Sequence, residues 1–259
     1  MKKRYILIFL AAFALCAIWN IISDTPKPGA PPTMTSQERS VLLSPVTEAE
    51  EQIYPYIHFH EAMENRIKDV STYVAIGAMP KKLRQAVIAT EDRRFYEHGA
   101  IDPIGITRAL IVNFHSGETV EGGSSISQQV VKNTFLTQER TLTRKVQEVI
   151  LAILLERNYT KDEILEIYLN TAYFGANATG IMEASKTYFN RTPENLTLAQ
   201  SAMLAGLLQA PSYYNPLENY EAARNRQKTV LSLMEEQGYI TPEEKDHAFQ
   251  ESLHLERHR

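Results

Sequence analysis

Glu91 and Asp92 close the apolar stretch Leu83 to Thr90 and open the run EDRRFYEHGAID. That run gathers carboxylates, guanidiniums and an imidazole without the spacing of a solvated helix face. If Leu83 to Glu91 is helical, its C-terminal end delivers Glu91 where the helix dipole disfavours negative charge, which tends to keep a carboxylate's proton affinity high. A carboxylate tuned in this way suits a general base. The competing interpretation is a structural cluster in which Glu91 or Asp92 pairs with Arg93 and Arg94. His98 is as compatible with a ring packed in the domain as with a catalytic imidazole.

A second constellation is GGSSISQQVVKN, Gly122 to Asn133. Two glycines allow close backbone approach, Ser124, Ser125, Ser127 and Gln128 offer hydrogen bonds, and Lys132 follows on a predicted helix. Hydroxyls, amides and an ammonium suit a phosphate-rich or sugar-rich ligand. The lysine lies too far beyond Gly123 for a Walker loop, so nucleotide hydrolysis fails on spacing. The alternative is a Ser/Gly loop that simply caps a helix. In the third constellation, Arg144 and Glu148 share a helical face at i,i+4, which permits an ordinary surface salt bridge. Glu148 also sits beside continuous apolar positions, as a partly buried second carboxylate would. Two carboxylates on separate helices are what glycosidic chemistry uses, in hydrolysis or in transfer.

Helices must position these groups. Thr47-Glu50, Thr160-Glu163 and Thr197-Gln200 fit capping boxes, and Thr241-Pro242-Glu243-Glu244 adds proline at the first helical position. Val146, Val149, Ile150, Ile153 and Leu154 recur at helical period, as do Ile164, Leu165, Tyr168 and Leu169, and then Ala202, Ala205, Leu208 and Gln209. No set of alternating strands stands out, so the expected fold is all-α. Pro103, Gly105, Gly117, Gly122 and Gly123 interrupt residues 102–123, which read as a less regular, mobile segment. His58-Phe59-His60-Glu61 has the look of a metal tripod, but no matching ligand cluster follows, and an ordinary polar segment is the better reading.

Ahead of the domain stands a membrane address. Met1-Lys2-Lys3-Arg4 is basic, and Tyr5 to Ile22 is a nearly uncharged apolar run within the ~17–25 residues of a spanning helix. A basic tip at residues 1–4 is held inside, so residues beyond the anchor face the far side of the membrane. The alternative of a cleaved signal peptide meets an apolar run longer than the usual ~7–15-residue core. Residues 23–44 include the Pro-rich spacer DTPKPGAPP, and residues 45–259 have globular composition. Cys16 is the one cysteine and lies in the apolar run, so no disulfide is expected outside. Net charge is −4 with dispersed Lys and Arg, which argues against a nucleic-acid partner.

EDRRFYEHGAID, GGSSISQQVVKN, RKVQEVILAILLE, KDEILEIYLNTAYFGANATGI and LAQSAMLAGLLQAPSYYNP together resemble the five ordered motifs of the peptidoglycan glycosyltransferase domain, glycosyltransferase family 51. That domain occurs in class A penicillin-binding proteins and in monofunctional transglycosylases. The resemblance spans about residues 75 to 240, with mild departures at Ala100, Ser125, Ser127, Asn177 and Gln200. It implies a lysozyme-like helical head with a smaller membrane-proximal jaw at about 102–123. It also implies polymerisation of lipid II, as donor and acceptor, into β-1,4-linked glycan, with inversion and release of undecaprenyl pyrophosphate. On this resemblance Glu91 is the base and Glu148 the second family glutamate. Asp92, Arg94, Phe95 and His98 support the first motif. Ser124, Gln128, Gln129 and Asn133 line the donor site, and Lys132, Arg140, Arg144 and Lys145 meet the pyrophosphate. A divalent ion (Mg2+ or Mn2+) acting with Glu148 is compatible with this picture, and no organic cofactor is expected. The implied setting is the cytoplasmic (inner) membrane, single-pass, with cell-wall synthesis or division proteins as candidate partners.

No Ser-x-x-Lys, Ser-x-Asn and Lys-Thr-Gly set appears, so the expectation is a monofunctional enzyme without a transpeptidase domain, unless the chain is a fragment. Two rivals differ in kind. A lysozyme-like lytic enzyme would share the cleft and a glutamate but need no array of cations for a pyrophosphate. A catalytically silent membrane-anchored scaffold would not need the charged set of the first three motifs.

Overall fold

The computed structural model describes residues 53–68, 70–116, 123–137 and 141–256. The apolar run Tyr5 to Ile22, the linker 23–44, the box at Thr47, Arg140 and residues 117–122 of the expected jaw lie outside these. Everything described below belongs to one compact unit, Glu50–Arg259. Among the described residues no helix is long and apolar enough to cross a membrane.

The described structure is helical, with no strand; a single isolated bridge joins Tyr173 to Thr179. The order is α1 (Phe59–Ile67), a 3-10 turn (Ile76–Ala78), α2 (Lys81–Glu91), α3 (Pro103–Ser116), α4 (Ile126–Phe135), α5 (Leu142–Asn158) and α6 (Lys161–Thr171). There follow α7 (Ile181–Phe189), a second 3-10 turn (Pro193–Asn195), α8 (Leu198–Leu207), α9 (Tyr220–Glu236) and α10 (Pro242–Gln250).

Local signals set most helix starts. The boxes at Thr160/Glu163, Thr197/Gln200 and Thr241/Glu244 all form, each threonine accepting from the third backbone N–H while the acidic or amide side chain reaches back. A fourth box, Ser125/Gln128, starts α4. The stretch after Asp102 differs from its expected irregularity, because Pro103 to Ser116 is one continuous helix. Proline at its first position costs no hydrogen bond there, and Asp102 Oδ1 accepts from Ile104 N at 3.1 Å to cap the open end. Gly105 leaves room for that aspartate, since a Cβ there would stand 2.5 Å from Asp102 Oδ2.

Helix α8 is the centre of the core. Every residue from Ala199 to Leu207 is buried, and it packs against α2, α9 and α10, while α4 packs against α5 and α6. A helix apolar all round belongs inside a domain; its alanines and Gly206 let neighbours come close. Its end comes earlier than the periodicity suggested, with Leu208 as the cap and Gln209 exposed. In α5 the expected apolar positions are not the buried face. The buried stripe is Glu148, Leu151, Ala152 and Leu155, and Ile153 is exposed. A helix rich in apolar residues on several sides satisfies more than one i,i+3/i+4 pattern, and tertiary neighbours choose among them.

Helix α6 holds the segment ahead of α2 through two polar side chains. Asn170 accepts from Val74 N and donates to Val74 O, both at 2.8 Å, and Glu166 accepts from Ile76 N at 2.5 Å. Beyond α6 the chain reverses through four consecutive-region residues of positive φ, Gly175, Ala176, Asn177 and Gly180. Gly180 is required, since a Cβ there would meet Asn170 O at 2.7 Å.

Asn170→Ala should therefore destabilise the domain. It leaves the buried Val74 amide and carbonyl unpaired, at ~1–3 kcal/mol for each orphaned group, so a loss of about 2–4 kcal/mol is expected in denaturant unfolding followed by circular dichroism. A change within about 0.5 kcal/mol, the usual range for a surface substitution, would show that Asn170 does not anchor this segment.

Candidate active site

Glu91 is the last residue of α2, and Asp92 breaks the helix with an extended backbone at φ −160°. Burial pushes the Glu91 carboxyl's proton affinity up, a larger effect than the opposing interactions. Desolvation is thus the leading cause of the high proton affinity that the helix dipole led us to expect. Three groups on other helices oppose it. Gln129 Nε2 of α4 donates to Glu91 Oε2 at 2.9 Å, and Arg226 of α9 and Lys132 of α4 add positive charge; the neighbouring Asp92 works the other way. The Gln129 amide is itself oriented by Tyr168 of α6, whose hydroxyl donates to Gln129 Oε1 at 3.2 Å. Burial, and then the charge of Glu91, push the Tyr168 hydroxyl well up, so it stays a donor.

The arginines of the first motif do not pair with Glu91 or Asp92. Arg93 lies 3.4 Å from Glu236 at the end of α9, and Arg94 reaches Asp102 at 3.4 Å and Glu97 at 3.7 Å. That removes the structural ion-pair cluster as the account of Glu91. Asp92 does the bracing instead. Its Oδ1 meets His98 Nε2 at 2.7 Å and its Oδ2 accepts from Ile126 N at 3.1 Å, while His98 Nδ1 donates to Gly99 O at 2.6 Å. The loop after the base is thereby tied to the first turn of α4. Phe95 is fully buried and Lys161 of α6 lies over its ring at 4.4 Å.

The second motif divides by role. Ser125 accepts from Gln128 N and donates to Ala100 O at 2.7 Å, and Gln128 Oε1 accepts from Ser125 N at 3.0 Å, so both are engaged in starting α4. Ser127 is buried and donates to Glu156 of α5, which also accepts from Lys161 at 2.7 Å. Ser124 lines a small cleft with Glu91, Asp92, Asp102, Ile106, Arg108 and Ser125, and its hydroxyl accepts from Lys145 Nζ at 3.0 Å. Lys132 is half-buried and Asn133 exposed.

Glu148 is 2% exposed and held by two basic residues of its own helix. Arg144 Nη1 donates to its Oε2 at 2.9 Å and Lys145 Nζ to its Oε1. The contacts Ser124–Lys145–Glu148–Arg144 form one connected polar chain, continuous through Ser124 with the cleft beside Glu91. A buried carboxylate without such partners would be strongly disfavoured; here it fixes two cations in place. With both oxygens engaged by cations, Glu148 is not a ready ligand for a divalent ion. Among the described residues the group with metal-ligand spacing is Asp92, His98 and Asp102, whose ligand atoms lie within 4.8 Å of one another. Their hydrogen bonds and the Arg94 guanidinium already engage these atoms, and the group braces the loop. Upstream, His58 stacks on Tyr54 and His60 packs against Tyr159.

Sequence reasoning did not single out Tyr168 as a group acting on Gln129, nor Arg226. Tyr168 lies in the fourth motif but reads there as one position of an apolar stripe, and Arg226 is one of several cations on an amphipathic helix outside all five motifs.

The transglycosylase family model matches residues 59–235. Penicillin-binding protein 1A/1B of Bacillus subtilis (strain 168) is 54% identical over 171 residues, 66% of this chain and 19% of that protein. Penicillin-binding protein 1A of Neisseria gonorrhoeae is 49% identical over 185 residues, 71% of this chain and 23% of that protein. The crystal structure of penicillin-binding protein 1A from Haemophilus influenzae aligns at 25% identity with a TM-score of 0.45, over 72% of this chain and 18% of that one. The chain spans less than a quarter of the length of these relatives. Matched over most of its described residues and carrying the five motifs in order, the chain belongs to the transglycosylase family, as a peptidoglycan transglycosylase domain.

Proposed function

We propose that the domain is a peptidoglycan glycosyltransferase that polymerises lipid II into β-1,4-linked glycan, with Glu91 as general base and inversion at the donor carbon. The observation that carries this is the setting of Glu91. A carboxylate whose proton affinity is raised by burial, yet held by an amide donor and faced by two cations, can be ionised and still accept a proton during reaction. Glu91 takes the proton of the acceptor GlcNAc 4-hydroxyl as that oxygen forms its bond to C1 of the donor MurNAc. The bond from C1 to the pyrophosphate oxygen breaks, and undecaprenyl pyrophosphate leaves with the electron pair.

The departing anion needs positive charge placed in advance, because solvent reorganising during the step would cost more than a fixed cation. Lys132 and the pair Arg144 and Lys145 supply it, the latter two aimed by Glu148 and Ser124. No step is routed through a divalent ion, since the Glu148 oxygens are already engaged. Polar groups of this density favour transfer from a pyrophosphate over lysozyme-like hydrolysis, which has no such leaving group to meet.

The substrates' polyprenyl tails stay in the bilayer, so the domain works at its surface. Tyr5 to Ile22 is the proposed anchor in the cytoplasmic membrane, with the N-terminus inside and the catalytic domain outside. Helix α3 is the proposed second contact, because Ile104 is 58% and Phe114 86% exposed although both are large and apolar. Side chains of this kind bury into the acyl boundary.

Glu91→Gln keeps the shape and removes the base, so glycan synthesis from lipid II in detergent should fall by ~10²–10⁴-fold or more while the helical spectrum is unchanged. Near-normal product on a gel would sink the assignment. On the leaving-group side, Lys132→Ala should cost ~10²–10³-fold, the usual loss for one preorganised stabilising group, and Glu148→Gln less. Retention of full turnover by both would move the donor site elsewhere. For the membrane, the double substitution Ile104→Ser and Phe114→Ser should weaken liposome sedimentation of a form lacking residues 1–40 by tenfold or more, since each apolar side chain contributes ~1.5–3 kcal/mol on burial. Equal sedimentation of variant and parent would return α3 to a purely structural role.

A further inference from the structure

Three contacts tie helix α2 to the end of α9 and the turn that follows it, and the residues on the α9 side lie beyond the last of the five motifs. Lys82, in the first turn of α2, donates from Nζ to Tyr239 O at 2.7 Å. Gln237 Nε2 donates to Ala89 O, in the last turn, at 3.2 Å. Arg93, just past the helix, lies 3.4 Å from Glu236. The last two contacts bracket Glu91 on the chain, one on either side.

They differ in weight. Arg93 and Glu236 form an exposed pair, which contributes little, and Lys82 acts at the far end of the helix. The Gln237 contact is of another kind. Ala89 is buried, and its carbonyl belongs to the last turn of α2, where no intrahelical N–H remains to reach it. The helix closes with Asp92 N donating to Ile88 O at 3.1 Å, so Ala89 O takes its donor from outside. Gln237 is held in turn by the end of α9. Its backbone N–H donates to Leu233 O at 3.2 Å, Tyr239 N donates to Met234 O at 2.9 Å, and Gly238 turns the chain at φ +69°, a closure that a glycine of positive φ allows. Gln237 Nε2 also lies 3.3 Å from Leu233 O. Two carbonyls therefore face the same nitrogen, which fixes the orientation of the amide.

We propose that Gln237 is a positioning residue, which fixes the last turn of α2 by donating to Ala89 O and so sets the direction in which Glu91 leaves the helix. This rests on Glu91 being the base. A base must stand within hydrogen-bond reach of the proton it takes, and Glu91 sits on a final helical turn, the part of a helix most prone to fray. Asp92 secures the loop after the base through His98 and Ile126. Gln237 secures the turn before it.

The test uses the full chain in detergent micelles, with lipid II as substrate and kcat and KM measured for the parent, Gln237→Met, Gln237→Lys and Glu236→Ala. Gln237→Met keeps the length of the side chain and removes the donor, so kcat should fall by roughly tenfold or more, the cost of a misplaced catalytic group, with KM near that of the parent. Gln237→Lys keeps a donor for the carbonyl and suits a helix C-terminus, so it should restore most of the rate. Glu236→Ala removes only the exposed pair and should leave kcat close to the parent's. Hydrogen exchange at the Asp92 amide reads the turn itself, without any reaction, and should quicken by roughly fivefold in Gln237→Met, the weight of one hydrogen bond, and recover in Gln237→Lys. An unchanged kcat in Gln237→Met overturns the proposal, as does a raised KM with kcat kept, the mark of a substrate contact. A rate that falls only in step with the folded fraction in urea, as a purely structural role would give, overturns it too, and so does unaltered exchange at Asp92. Glu91→Gln run alongside separates the two readings. Near-normal glycan from that variant would sink Glu91 as the base, whereas an inactive Glu91→Gln beside a fully active Gln237→Met would sink Gln237 alone.

Discussion

The organisation of this domain follows from taking one carboxylate out of water. An ionised glutamate in a protein interior is costly unless other groups compensate it, and no single helix could do so for Glu91. Helix α2 delivers it at its end, α4 supplies an amide and an ammonium, α6 orients that amide through Tyr168, and α9 brings a guanidinium. The packing around α8 makes this convergence possible. Its small, fully buried face lets α2 and α9 approach together. Core and site are thus one construction, because the helices that partly bury Glu91 also carry the charges that offset its burial.

A second carboxylate solves the same problem in another way. Glu148 is buried more deeply in residue terms, but its own helix supplies both partners at i−4 and i−3. It behaves as a clamp for cations. Glu91, by contrast, depends on three other helices and keeps a raised proton affinity. One arrangement spends a carboxylate on holding charge in place, and the other leaves a carboxylate able to take a proton.

What was legible in the sequence is what short-range chemistry specifies. The threonine boxes at 160, 197 and 241 needed only residues three apart, and they formed. Glu91 at the end of a helix also followed from neighbours within a turn or two. What failed depended on partners distant in sequence. The apolar residues of α5 allowed several faces, and only its packing against α1 and α4 selected the one with Glu148 and Leu151. Arg93 and Arg94 looked like partners for the adjacent carboxylates, yet Glu236 and Asp102 claimed them. Glycines and a proline suggested an irregular segment after Asp102, whereas proline at a first helical position and an aspartate cap are compatible with the helix that forms.

The box at Ser125 has a consequence for how this locus can change. Each residue of an α-helix turns the chain by about 100°, so the cap sets the angular origin from which Gln129, the next residue after the box, is aimed at Glu91. A single inserted residue between them would swing the amide away from the carboxylate and from Tyr168 at once, whereas a changed side chain at an outward position would leave the aim intact. The spacing works as a gauge: the locus tolerates spelling changes and rejects changes of length.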